Sequence, residues 1–237
     1  MDEKEIINNF YNLIVKNIKE NELNTNSVKV TSDSFFIGET ATDSRLDYNI
    51  TTDIKNIQSD LIYSTGILYA LKPFINNPTK ETKVFMGKER ATYFQNMYDS
   101  LYSMYASVCF EKLYNFWDRI GDKIATEFPS DFPNPRTIMF ANVIEKIRNS
   151  TTDSNIKWLA DFKDTDFKDF NEKRKIIVHY AQLETKYKEL ILDNMSDMDE
   201  IKKIWIEKSS LPDFFKKHIK LTNEGITKTY KFVKNNK

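Results

Sequence analysis

A mainly α fold follows from three features of this chain. Its 237 residues contain only five glycines and six prolines, so few positions interrupt a helix. Apolar and aromatic residues recur every three to four positions over long stretches, the spacing that gives a helix one buried stripe. Charged residues make up 30% of the chain and aromatics 14%, enough of each to coat and fill a set of packed helices.

The periodicity places the elements in order. Ile7, Phe10, Leu13, Ile14 and Ile18 mark an amphipathic helix over residues 3–23. Between Thr25 and Thr52 the pattern shifts to short β-prone runs, Val28-Lys-Val30 and Phe35-Phe-Ile37, which predict a loop with a small β-hairpin near residues 28–38. Ile54, Ile57, Leu61, Leu68 and Leu71 define a second helix that should stop near Pro73. A long helix is then expected from about Lys88 to Phe128, through Tyr93, Met97, Leu101, Phe110, Leu113, Trp117 and Ile124, with Pro129 ending it.

After the connector Pro129 to Pro135, Ile138, Ala141, Ile144 and Ile147 give a shorter helix, and Trp158, Leu159 and Phe162 a brief apolar turn. A further helix is expected from Asp166 to Asn194, with a stripe through Phe170, Ile177, Tyr180, Leu183, Tyr187 and Ile191. Ser196 with Asp199, and Ser210 to Asp213, read as two more helix starts. This divides the chain into an N-terminal helix and loop over 1–53, a helical core over 54–194 and a C-terminal helical extension over 195–237. Residues 202–237 carry ten lysines against Glu207, Asp213 and Glu224, an excess of 10 − 3 = +7, so the extension is basic.

Composition narrows the function classes. The formal net charge is +0, so any nucleic-acid binding must come from a local patch. Cys109 is the only cysteine; it excludes an intramolecular disulfide and a multi-cysteine zinc site, and it fits a reducing, cytoplasmic setting. No run approaches the roughly 18 apolar residues of a membrane span, and the N-terminus lacks the basic and apolar regions of a secretory signal, so a soluble protein is expected. The five glycines stand isolated, which leaves no Gly-rich phosphate loop.

Arg174 and His179 are the best chemical lead. Histidine moves protons near neutral pH, and arginine presents a planar permanent charge suited to phosphate. On a helix, positions five apart diverge by about 140° and rise about 7.5 Å, so the two side chains border the predicted stripe on opposite sides. If that stripe packs against a second copy, two arginines and two histidines meet in one cleft. RNA cleavage needs a base for the 2′-hydroxyl, an acid for the leaving 5′-oxygen and cations around the phosphate, and such a cleft supplies all of these without metal or cofactor. Read without that second copy, Lys173-Arg174-Lys175 is a solvated face and His179 a boundary histidine.

Arg174, four intervening residues and His179 on a late helix of an all-α domain resemble the R-x4-6-H motif of the HEPN superfamily. The resemblance covers roughly residues 54–192 and implies a four-helix-bundle core with N- and C-terminal additions. It implies a dimeric, metal-independent endoribonuclease that leaves a 2′,3′-cyclic phosphate and works in phage defence or a toxin system, with an antitoxin or defence partner. In that reading Arg174 and His179 are catalytic, Lys175 and Lys173 bind the substrate backbone, and Asp118, Arg119 and Tyr180 stand behind them. Lys175 occupies the position where active members usually carry Asn, Asp or His. The alternative is a non-catalytic HEPN-like module that binds RNA, nucleotide or a protein partner.

Other candidates are weaker. Glu111, Asn115, Asp118 and Asp122 form a polar ladder on the long helix, which reads as a solvated or salt-bridged row because neither histidine has a glutamate three residues before it. His218 follows Lys216 and Lys217 and is expected at the surface. Cys109 lies between Val108 and Phe110, where a thiol acts as a small core residue.

Overall fold

The computed structural model describes residues 2–24, 44–134, 138–179 and 182–236. Its helices are α1 (Glu3–Glu20), α2 (Ser44–Leu71), α3 (Met97–Glu127), α4 (Phe140–Arg148), α5 (Ser154–Asp164), α6 (Asp166–His179), α7 (Leu183–Asp193), α8 (Met198–Ser209) and α9 (Leu211–Asn235). A 3-10 turn, Lys72–Phe74, follows α2, and an antiparallel hairpin pairs β1 (Thr82–Phe85) with β2 (Lys88–Ala91). The mainly α class is therefore what the chain adopts. The hairpin expected near residues 28–38 lies outside the described residues. No helix among the described residues is long and apolar enough to cross a membrane.

The second helix starts at Ser44, inside the stretch expected as a loop, and three further boundaries differ from the sequence expectation, each for a local reason. Residues 88–91 form a strand, and the long helix starts only at Met97. Gly87, at φ 72°, supplies the positive φ that a two-residue turn requires, and Met86 beside it sits at φ 50°. The helix start is then set by a reciprocal cap. Asn96 Oδ1 accepts the Asp99 backbone N–H at 2.9 Å, and Asp99 Oδ2 accepts that of Asn96 at 3.1 Å. The helix expected over 166–194 is two helices, because Gln182 adopts an extended backbone (φ −55°, ψ 146°) as the cap of α7. Trp158, Leu159 and Phe162 belong to an eleven-residue helix, α5, whose N-cap Asp153 accepts the Asn155 N–H at 2.6 Å. Likewise α8 is capped by Asp197, which accepts from the backbone of Asp199 and Glu200.

The chain forms two compact units. The first gathers residues 1–24, 62–110 and 174–217, and the second 25–61, 111–173 and 218–237. In the first unit Ile14, Leu68, Tyr102, Ala106, Cys109, Tyr187, Ile201 and Phe215 are buried, with the Phe110 and Phe215 rings edge-on at 4.9 Å. Cys109 is the core residue that the sequence suggests: burial pushes its thiol up to about 12, so no thiolate forms at neutral pH.

A buried ionic knot ties the first unit together. Lys208 Nζ lies 2.8 Å from Asp99 and 3.5 Å from Glu184, all three residues being buried. Glu184 also accepts the hydroxyls of Ser103, at 2.6 Å, and Tyr93. Asp99 accepts the Asn76 backbone N–H as well as capping α3. Each buried charge thus has an opposite charge and hydrogen bonds, the condition under which burial is tolerated.

The second unit is built on Trp117, whose ring lies 4.1 Å from Phe162 and 4.9 Å from Phe140. Phe167 and Phe170 of α6 extend this aromatic core. Gly121 allows α3 and α4 to approach: a Cβ there would stand 2.9 Å from the Phe140 backbone nitrogen. Gln58 of α2 donates to Asn223 of α9 at 2.6 Å. His218 is 1% exposed, with its ring 5.6 Å from that of Phe170. The expectation of a surface histidine was wrong, because α9 turns Ile219, Thr222 and Ile226 inward with it and leaves Lys220 and Glu224 outside.

Candidate functional site

Helix α6 carries the Arg174 and His179 pair. Its first turns are anchored in the second unit by Phe167 and Phe170, and its last residues, from Arg174 on, belong to the first. Glu172, Lys173, Lys175 and Ile176 are exposed, while Arg174 and Ile177 are half-buried. Lys173 pairs with Asp169 at 2.9 Å on the same helix. His179 is the last helical residue, so the backbone places the two motif positions within the final turns of one helix. Tyr180 lies outside the described residues.

The stripe expected to face a second copy is not continuous. Leu183 and Tyr187 sit on α7 rather than α6, and both are already buried within the first unit. The face that α6 leaves open is instead the one with Lys175 and Ile176, which is 40% exposed.

Asp118 and Arg119 lie in a polar groove of about 590 Å³ within the second unit. Asp53, Asn56, Ile57 and Asp60 of α2 form one wall, and Lys112, Asn115, Asp118, Arg119 and Asp122 of α3 the other. The helices run antiparallel here. Lys112 meets Asp60 at 2.7 Å, and seven residues on Arg119 meets Asp53 at 3.5 Å and also binds Asp122. Asp118 accepts the Phe140 backbone N–H at 3.4 Å. Burial holds the Asp122 carboxyl above the usual carboxylate range, against the opposing pull of Arg119. In the polar ladder Asp122 is salt-bridged to Arg119, Asn115 and Asp118 line the groove, and Glu111 is exposed and does not line it. No group of three or more His, Cys, Asp or Glu among the described residues is arranged to hold a metal ion.

Two features escaped the sequence reading. The acidic partners Asp53 and Asp60 were overlooked, although their seven-residue spacing matches that of Lys112 and Arg119. The hairpin face of Lys83, Phe85, Lys88 and Arg90 has no counterpart in the sequence expectation, in which the long helix began at about Lys88 and no element was assigned to Lys83 and Phe85. Its signal was the alternation in Lys83-Val-Phe-Met-Gly-Lys88 around a glycine.

A mainly α chain with an arginine and a histidine five residues apart on a late helix is what the resemblance to HEPN proteins leads one to expect. The chain matches the Cthe2314-like HEPN family over residues 52–234, which is 183 of its 237 residues, and it belongs to that family within the HEPN superfamily. The match reaches from α2 into α9, and so includes the polar groove, α6 and the helices after it. No curated protein and no solved structure matches the chain.

Proposed function

We propose that this protein is a metal-independent endoribonuclease of the HEPN type, acting at a composite site formed by two copies of the chain. The observation that carries the reading is the placement of Arg174 and His179 in the last turns of one helix, inside the span that matches the family. The exposed Lys175 and Ile176 support it by giving α6 an open face beside the motif.

In the proposed reaction one His179 takes the proton of the 2′-hydroxyl, and the 2′-oxygen attacks the adjacent phosphorus. The bond to the 5′-oxygen breaks as the second His179 gives that oxygen a proton, leaving a 2′,3′-cyclic phosphate. Arg174 from each copy holds the phosphate oxygens, where charge builds in the transition state. Lys175 and Lys173 bind the neighbouring backbone. A setting in phage defence or a toxin system, in the cytoplasm and with a protein partner that restrains the enzyme, follows from the family alone.

A second reading is favoured by Lys175. A charged lysine after the arginine cannot accept a proton, and a non-catalytic module that binds RNA, nucleotide or protein would have no need of it as a base. The two readings separate in one assay, cleavage of a mixed RNA pool in EDTA by the wild type and by His179→Ala. The nuclease reading expects cleavage that disappears in a variant with an unchanged circular-dichroism spectrum. Equal activity of the two proteins would reject His179 as the catalytic group.

A further inference from the structure

The β1–β2 hairpin carries a face built for an anion. Its register sets Lys83 opposite Arg90 and Phe85 opposite Lys88, so three cations and one aromatic ring share one face. Like charges directly across a ladder repel, and proteins usually relieve such a pair with a nearby carboxylate. Here there is none. Among the described residues Lys83, Lys88 and Arg90 make no ion pair, and the only acid of the two strands, Glu89, points to the opposite face, where it accepts the Thr82 hydroxyl at 2.6 Å. By contrast, Lys202 is matched with Asp199, Lys203 with Glu200 and Lys208 with Asp99.

The face also offers exposed rings already in contact with cations. The Arg90 guanidinium lies over Phe85 at 5.0 Å, and Lys83 Nζ over Phe94 at 5.4 Å. Phe85 and Phe94 are 53% and 52% exposed. Phosphate-binding cations interleaved with open aromatic faces are what a single-stranded nucleic acid requires. In a chain of zero net charge such a local patch is also the only way to attract a polyanion.

We propose that this hairpin face binds single-stranded RNA, its cations contacting backbone phosphates and Phe85 stacking on a base. The proposal takes its choice of RNA from the ribonuclease reading and places a substrate-holding element in the unit that contains Arg174 and His179. An anionic lipid surface would use the same charges, with Val84 and Met86 at the tip entering the bilayer. That occupant fits less well: a whole myristoyl chain gives only marginal anchoring, and Val84 and Met86 are two short side chains.

The hairpin can be altered without disturbing the fold. Its base is fixed by the Ala91 N–H bonded to the Met195 carbonyl at 2.8 Å and by the burial of Ala91, whereas Lys83 and Lys88 are exposed. The test measures fluorescence anisotropy of a labelled oligouridylate in the full-length His179→Ala protein, so that the RNA stays intact, across a range of salt concentrations. Adding Lys83→Gln, Lys88→Gln and Arg90→Gln should weaken binding by at least tenfold and lower the slope of log affinity against log salt by about 2, the value for three phosphate contacts on a single strand. Adding Phe85→Ala alone should weaken binding about tenfold with the salt slope unchanged, the signature of a lost stacked base. The Lys83→Gln, Lys88→Gln pair serves if the triple variant fails to fold.

Unchanged RNA affinity in these variants, or no binding by the parent, would overturn the proposal. So would hairpin-dependent flotation with phosphatidylserine vesicles in the absence of RNA binding. If the wild type proves unable to cleave while the hairpin variants still lose RNA, the ribonuclease reading fails and this one stands.

Discussion

At the scale of the residue, the proposed reaction gives His179 two roles in two copies, and this shapes the pH profile. If one imidazole must be neutral and the other protonated, kcat/KM should rise and then fall with pH. A single sigmoid would remove the paired acid and base. Arg174→Ala should lower kcat by about 10² or more, the cost of losing a donor aimed at developing charge, and Arg174→Lys should recover only part because an ammonium lacks the planar fork. The chemistry of these side chains was legible in the sequence because residue type and spacing alone define it. His218 was not legible. Its burial depends on which face of α9 turns inward, and the two lysines before it gave the wrong sign for the environment.

At the scale of the element, helix periodicity located most of the helices but not their interruptions. The reciprocal Asn96 and Asp99 cap and the extended Gln182 are single-residue events inside long apolar patterns, so period counting ran through both. The buried knot shows why the second break matters, since Glu184 enters it from the first turn of α7. Lys208→Met would leave Asp99 and Glu184 buried without their cation and should cost about 3–5 kcal/mol, read from urea unfolding. A loss below about 1 kcal/mol would show that the knot contributes little. Gly121→Ala probes helix contact in the second unit: the methyl would meet the Phe140 backbone, and overpacking of about 1–3 kcal/mol should exceed the helix-propensity gain of up to about 1 kcal/mol. A raised melting temperature would contradict that close approach.

At the scale of the whole molecule, zero net charge excludes strong non-specific attraction to RNA, so affinity must be concentrated in patches. The basic C-terminal segment visible in the sequence is partly consumed internally, since Lys208 is buried with Asp99 and Lys202 and Lys203 pair within α8. Charge counting alone could not distinguish these from the unmatched cations of the hairpin. A composite site also predicts concentration dependence, with activity per chain falling on dilution below the dimer dissociation constant. Activity per chain that stayed constant across the monomer–dimer transition seen by sedimentation would place the whole site in one copy.

The most direct test of the central claim is the chemistry of the product ends. Incubation of wild-type protein with RNA in EDTA, followed by mass analysis of the 5′ fragments, should give 2′,3′-cyclic phosphate termini, and His179→Ala should give none. Fragments ending in a 3′-hydroxyl, or cyclic ends that persist in His179→Ala, would contradict the mechanism.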